Sequence, residues 1–351
     1  MSGGVDSSVA AALLKDQGFE VIGLTMSLFD LPGEACRDEN LRSCCGLKAR
    51  DDAHRVALAL GIEHLTADFR KAFAETVIAD FCAEYARGRT PNPCLRCNQF
   101  IKFDRLWTRA KKLGAPALAT GHYARIDRDD HSRRWRLRKG VDPDKDQSYF
   151  LYPLSQAQLG RTLFPLGGYR KEEVRAIAKR LGLPVAEKRE SQEICFVPDD
   201  DYGRFLRQRT PEAFAPGPIL DPEGKEIGRH EGILHFTVGQ RKGMGIAAPH
   251  PLYVLAIDPR RNAVIAGTNA GLYRTSFSAE NVHWVSGESP VRPLEVAVKV
   301  RSKHAEAKAL LVPRPGDRVD VEFEKPQRAL TPGQAAVFYD GDNVLGGGII
   351  S

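Results

Sequence analysis

The sequence predicts an α/β protein in three parts: a parallel sheet with flanking helices, a smaller central domain and a C-terminal β-barrel. Three observations predict it. In the first third of the chain, helix-period segments alternate with short apolar runs, the pattern of βαβ units and a parallel sheet. Pro211, Pro216, Pro218 and Pro222 then punctuate a linker-like stretch. Beyond it the chain reads as short strands separated by Gly, Pro and Asp turns, the texture of a small barrel.

The elements follow in order. A helix with a small-residue face is expected over 7–17, stopped by Gly18, and then a buried strand over 19–26. Residues 28–46 read as irregular and hold Cys36, Cys44 and Cys45. A helix over 47–60, stopped by Gly61, leads to a strand over 62–66 and a long amphipathic helix over 69–86. Residues 87–98 are rich in breakers and read as a loop. A helix over 100–113, a strand over 116–120, a hairpin strand over 134–138 and helices over 171–181 and 202–208 come next. Strands are expected over 253–257, 263–266, 294–300, 309–312, 318–323 and 335–339. The domains are placed at 1–200, 201–271 and 272–351.

Composition bounds the function. At roughly 150 residues per domain, 351 residues make two or three domains. With 42% hydrophobic and 27% charged residues, a mainly disordered chain is excluded. The net charge of +6 permits a polyanionic partner without requiring one. No apolar run approaches the roughly 18 residues that span a bilayer, and the first residues lack a signal-peptide pattern. The expectation is a cytoplasmic protein with no membrane partner. Seven cysteines, none beyond Cys195, then read as reactive thiols or metal ligands, not as a disulfide framework.

Two regions carry chemistry. Ser2-Gly3-Gly4-Val5-Asp6-Ser7-Ser8 runs straight into a helix. Its glycines let backbone amides approach an anion, the helix N-terminus adds unpaired donors, the serines add hydroxyls, and Asp6 suits Mg²⁺ on a bound pyrophosphate. The same residues also read as a plain Gly-Gly turn with an N-cap. No Walker-type lysine is present in the loop. The second region is Cys94-Leu95-Arg96-Cys97 before a helix, together with the distant Cys195. Arg96 and the helix N-terminus favour thiolate. Three readings stand open. Cys97 and Cys195 form a persulfide-and-resolving pair, or Cys94, Cys97 and Cys195 hold an Fe–S cluster, or all three are inert core residues. No His sits at zinc-site spacing, so no metal site is assigned. Cys82, within a helix, reads as core.

Eight blocks then occur in one order: SGGVDSS (2–8), Cys44-Cys45-Gly46, TPNPCLRCNQFIKF (90–103), ATGHYAR (119–125), KDQSYFL (145–151), ESQEICF (190–196), FTVGQRKG (236–243) and LTPGQAAVFY (330–339). This series resembles the bacterial-type tRNA-specific 2-thiouridylases, and its first block matches the loop of the N-type (PP-loop) ATP pyrophosphatases. The resemblance runs the full length. It implies a PP-loop ATP pyrophosphatase domain, a central domain and a C-terminal β-barrel. It also implies a reaction: ATP adenylates the carbon-2 oxygen of a wobble uridine in tRNA, and a cysteine persulfide delivers sulfur to that carbon. The resemblance gives Cys195 the persulfide and Cys97 the role of nucleophile, with a transient Cys97–Cys195 disulfide.

The remaining roles also come from the resemblance. Ser2, Gly3, Gly4, Val5, Asp6, Ser7, Ser8, Met26 and Gly121 match nucleotide-binding positions. Asn92, Pro93 and Cys94 match a target-base loop, and His122, Lys145, Asp146, Gln147, Arg301, Ser302 and Gln334 match tRNA contacts. ATP, Mg²⁺, tRNA and a cysteine desulfurase or sulfur-relay protein are the implied cofactors and partners. Three departures stand out. The family has a strand directly before the glycine loop, where this chain has Met1, so a central strand is expected to be missing. Cys94 stands where the family commonly has an acidic residue, and Ser302 where it often has an aromatic. Arg204, Arg207, Arg209, Arg241, Lys242, Lys299, Arg301 and Lys303 are candidate phosphate contacts. Rival readings are another adenylating pyrophosphatase, such as an amide-forming synthetase, a cluster-bearing thiolase, and an RNA-binding module with a decayed ATP site.

Overall fold

A computed structural model describes residues 1–29, 47–188, 194–197 and 201–351. Cys36, Cys44, Cys45 and residues 190–193 of the ESQEICF block lie outside the described residues. The N-terminal part opens with α1 (Val5–Asp16), β1 (Ile22–Ser27), α2 (Leu47–Leu60) and β2 (Glu63–Asp68). A continuous helical stretch follows: α3 (Arg70–Phe73), a π-helical segment (Ala74–Ile78) and α4 (Ala79–Ala86). A second begins at α5 (Pro93–Arg96), widens to π-helix over Cys97–Leu106 and closes as α6 (Trp107–Lys112). Next come β3 (Leu118–Ala119), the hairpin of β4 (Ala124–Arg128) and β5 (Trp135–Lys139), α7 (Gln156–Leu159), β6 (Thr162–Leu163) and α8 (Lys171–Arg180).

The central part holds α9 (Tyr202–Arg209), β7 (Gly217–Leu220), β8 (Glu226–His230), β9 (Tyr253–Asp258) and β10 (Ala263–Gly267). The last part is all strand: β11 (Tyr273–Trp284), β12 (Leu294–Lys299), β13 (Ala307–Arg314), β14 (Arg318–Arg328), β15 (Ala335–Asp340) and β16 (Asn343–Ile350).

The α/β reading holds, with one difference. Among the described residues the parallel sheet is in two pieces, β1–β2 and β3–β6. The first residues lie between them. The Met1 amino group donates to the Leu24 carbonyl, and the Thr25 hydroxyl donates 2.7 Å to the Met1 carbonyl. On the other side, Gly121, just past β3, sits against the backbone of Asp6 and Ser7. The loop expected over 87–98 is shorter than its breakers imply. Asn92 accepts 3.2 Å from the Cys94 amide as an N-cap, and Pro93 takes the first helical position, where its missing N–H is harmless.

The barrel is six strands in the order β11-β14-β13-β12-β15-β16, closed by β11 on β16. Its sheet continues into the N-terminal part, because β5 pairs with β16 through Asn343↔Arg138 and Val344↔Leu137. The cores are shared in the same way. One apolar cluster joins Phe73, Phe81 and Tyr85 of the N-terminal helices to Leu206, Leu234 and Val254 of the central part. Another joins Phe103, Leu137 and Tyr149 to Ala335 and Tyr339 of the barrel. Segments joined by buried apolar interfaces of this kind do not move as free bodies.

Leu137 is fully buried at the junction of hairpin and barrel. Leu137→Ala is expected to lower stability by about 2–5 kcal/mol. Urea unfolding followed by the fluorescence of Trp107 and Trp284 should show both sides of the seam losing stability together.

Candidate functional site

The glycine loop is built around the start of α1. Gly4 is its N-cap in extended conformation with no side-chain cap, so the donors of the first turn are not taken up by a capping side chain. Within the loop, Ser7 Oγ accepts from the Ser2 amide at 3.1 Å and donates to the Gly4 carbonyl at 3.1 Å, and Ser8 Oγ donates to the same carbonyl at 2.9 Å. A Cβ at Gly3 would collide with the Ala49 carbonyl of α2. A Cβ at Gly121 would stand 2.8 Å from the Asp6 carbonyl carbon and 2.9 Å from the Ser7 nitrogen. Gly121 therefore serves the loop by having no side chain.

The lysine absent from the loop arrives from elsewhere. Lys171, at the start of α8, places Nζ 2.6 Å from Asp6 Oδ1, and the Tyr123 hydroxyl donates to the same oxygen at 2.8 Å. Lys188 donates 2.9 Å to the Gly3 carbonyl and 2.6 Å to Asp52 Oδ2. Burial pushes the Asp52 carboxyl up, but the bonds and charges of Lys188 and Arg55 outweigh it and hold the group below its ordinary range. Sequence reasoning missed Lys171, Lys188, Tyr123 and Asp52. The one signal for Lys188 is its place two residues before the ESQEICF block.

Met26 lies at the C-terminal end of β1 and packs against both large clusters. Val5 and Ser8 are buried and Ser2 is exposed. His122 is buried between Phe103 and Phe164, with Nδ1 2.7 Å from the Thr120 hydroxyl and Nε2 3.5 Å from Lys102 Nζ. Burial, reinforced by the Lys102 charge, pushes its pKa well below the usual value, so the ring is neutral at pH 7.

Cys82, Cys94, Cys97 and Cys195 are present as thiols. Cys97 is buried in the cluster of Phe73, Phe81 and Phe196, and Cys195 packs against that same cluster. Met26 packs against this cluster too, so both thiols and the end of β1 border one apolar core. Phe196 fixes its neighbour Cys195. Its ring meets Phe73 at 5.7 Å, Phe81 at 5.3 Å and Phe205 at 5.2 Å. Cys94 is exposed. Cys82 is core, and burial pushes its thiol up, away from thiolate. Among the described residues, no group of three or more His, Cys, Asp or Glu is placed to hold a metal.

The other expected tRNA positions divide into tips and braces. Asn92 and Arg96 line a small cleft with Asp80, Glu84, Gln99 and Tyr152, and Pro93 beside them is buried. Asp146 accepts from the Gly140 and Ser148 amides at 3.0 and 3.1 Å. Gln147 Oε1 accepts from the Tyr123 amide at 3.0 Å, so it braces the connection between β3 and β4 that carries His122. Lys145 and Ser302 are half-buried. Arg301 Nη2 donates 3.1 Å to the Val238 carbonyl and also bonds the Thr331 hydroxyl. Gln334 Nε2 donates to the carbonyls of Thr90 and Pro91 at 2.8 and 3.3 Å. Arg204, Arg207, Arg209, Arg241, Lys242 and Lys303 are exposed, while Lys299 is half-buried.

Comparison with known proteins covers the whole chain. The family profile described as "tRNA methyl transferase HUP domain" matches residues 1–199. "tRNA methyl transferase PRC-barrel domain" matches 203–268, and "Aminomethyltransferase beta-barrel domain" matches 274–350. The chain is 52% identical to the tRNA-specific 2-thiouridylase MnmA of Pelotomaculum thermopropionicum over 350 residues, covering 100% of this chain and 95% of that protein. It is 50% identical to tRNA-specific 2-thiouridylase MnmA 1 of Caldanaerobacter subterraneus subsp. tengcongensis over 350 residues, covering 100% and 96%. With the MnmA of Symbiobacterium thermophilum it shares 50% over 353 residues, covering 100% and 90%.

Gly121→Ala must displace the glycine loop, and it is expected to slow ATP-dependent pyrophosphate release by about 10–100-fold, measured with the circular-dichroism spectrum unchanged. His122 makes a pH prediction. Its folded pKa lies below the unfolded value of about 6.5, so its contribution is complete above that pH and is lost as pH falls through the lowered folded value. His122→Gln should shrink the drop in Tm between pH 7.5 and 5.5 by about 1–2 °C.

Proposed function

The chain belongs to the tRNA-specific 2-thiouridylase family, and from that premise we propose that it carries out ATP-dependent 2-thiolation of the wobble uridine in tRNA anticodons. The observation that supports the reading is that Cys97 lies in an apolar cluster against which Cys195 and Met26 both pack, Met26 being near the end of the strand that anchors the glycine loop. An adenylating enzyme that forms amides has no use for two thiols there. A methyl transferase, as two of the profile names have it, has no use for them either.

The chemistry follows from the groups present. A uridine carbonyl is a poor electrophile, so its oxygen must first become part of a good leaving group. The Ser2–Ser8 loop and the start of α1 hold the phosphates, and their amides stabilise the charge of the departing pyrophosphate. Asp6, held by the Tyr123 hydroxyl and Lys171, would be the residue that holds Mg²⁺. Such an ion would supply positive charge to the pyrophosphate. A persulfide on Cys195 attacks carbon-2, and AMP leaves with the former carbonyl oxygen. The Cys97 thiolate then attacks the Cys195 sulfur. The old S–S bond breaks, its electrons pass to the sulfur on the base, and a Cys97–Cys195 disulfide remains for an external reductant.

An anticodon loop is single-stranded, so its base can be splayed into a pocket. Asn92, Pro93 and Cys94 meet the target base in this reading. Exposed Arg204, Arg207, Arg209, Arg241 and Lys242 attract the phosphates. His122, Lys145, Asp146 and Gln147 shape the surface beneath the anticodon. The sulfur donor is a cysteine desulfurase or a sulfur-relay protein, and the protein works in the cytoplasm.

The test is incubation with unmodified tRNA, ATP, Mg²⁺ and a persulfide source, followed by nucleoside analysis. Wild type should yield 2-thiouridine. Cys195→Ser should yield none while AMP is still transferred to tRNA, and Cys97→Ser should also fail. Full thiolation by Cys195→Ser would sink the assignment.

A further inference from the structure

Thr90-Pro91-Asn92-Pro93 leads into the helix that presents Cys97, and it is poorly able to hold itself. Pro91 and Pro93 have no N–H, so the segment cannot form a regular ladder and its carbonyls need donors from outside. Those donors come from the barrel. Gln334 Nε2 has two N–H bonds and donates one to each carbonyl, Thr90 at 2.8 Å and Pro91 at 3.3 Å. The Thr90 amide donates back to the Pro332 carbonyl at 2.8 Å. Gly333, at φ +89°, makes this approach possible, since a Cβ there would lie 2.8 Å from the Thr90 nitrogen.

Contacts on either side reinforce the junction. Arg89 Nη1 pairs with Glu280 of β11 at 2.7 Å. Thr90 Oγ1 donates 3.3 Å to Thr237 Oγ1 of the central part. Gly88 faces Ile257 of β9, where a Cβ would lie 2.9 Å from its side chain.

We propose that Gln334 is a positioning residue: through Thr90 and Pro91 it sets where the Asn92–Cys97 segment stands, and so couples the barrel to the reactive thiol. The role rests on the thiolation reading for its consequence in catalysis, but the contact itself does not. Gln334 acts on sulfur transfer through the loop. A direct tRNA contact from this side chain would instead act on affinity.

The experiment reads both. Alkylation of Cys97 by iodoacetamide is followed by peptide mass spectrometry on the full chain, without ATP, tRNA or sulfur donor. Affinity for an unmodified tRNA transcript and the kcat and KM of thiolation are measured in parallel. Gln334→Ala should raise the Cys97 alkylation rate, read without tRNA, at least fivefold and lower kcat at least tenfold. Gln334→Glu keeps the shape, removes both donors and sets an anion against two carbonyls, and it should be at least as impaired. Thr237→Val, which removes the bond from the central part, should raise alkylation at least twofold and carries the test if the Gln334 variants do not fold. An unchanged alkylation rate overturns the proposal, as does a tenfold loss of tRNA affinity with kcat preserved. If wild type makes no 2-thiouridine, the functional reading fails while the alkylation arm still decides the contact.

Discussion

A stretch with two prolines in four residues cannot satisfy its own backbone, and much of this molecule is organised around supplying what it lacks. Thr90 meets the barrel through its amide and its carbonyl, and the central part through its hydroxyl. The three sequence blocks TPNPCLRCNQFIKF, FTVGQRKG and LTPGQAAVFY are far apart in the chain, yet they converge on this point. Arg301 reinforces it from behind by joining Val238 to Thr331. Domain arrangement and thiol placement are therefore one problem with one solution.

The nucleotide loop is solved by a similar borrowing. Its own residues provide amides and hydroxyls but no cation. Lys171 and Lys188 come from beyond residue 170 and close over Asp6 and Gly3. Lys188 is two residues before the block that contains Cys195, so the two lie close together in the chain. Met26 packs against the core that Cys97 and Cys195 border and against the core that extends to the barrel.

The sequence was legible where local signals are strong. The helix expected over 47–60 is found as Leu47–Leu60, since Gly61, at φ +60°, ends it. The start of α5 was missed although its signal is local: Asn92 is an N-cap and Pro93 an N1 residue, but both also read as breakers. Strand β16 was hidden by Gly346, Gly347 and Gly348, which depress strand propensity. Those glycines are needed at the seam. A Cβ at Gly347 would lie 2.7 Å from the Ala336 carbonyl and 2.9 Å from the Tyr152 ring. The lysines over the loop and the docking of β5 on the barrel are tertiary facts with no local pattern. The site blocks were readable by resemblance, whereas the bracing roles of Asp146, Gln147, Arg301 and Gln334 needed coordinates.

The hairpin β4–β5 belongs by chain order to the nucleotide-binding part and by hydrogen bonding to the last one. Scissors applied at the boundary near residue 272 would thus not release a self-sufficient catalytic fragment. They would strip β16 from β5, baring a ladder edge and the apolar surface around Leu137 and Tyr149. Such a fragment would tend to stick to copies of itself, so a minimal version of this enzyme has to be sought by shortening loops, not by removing the tail.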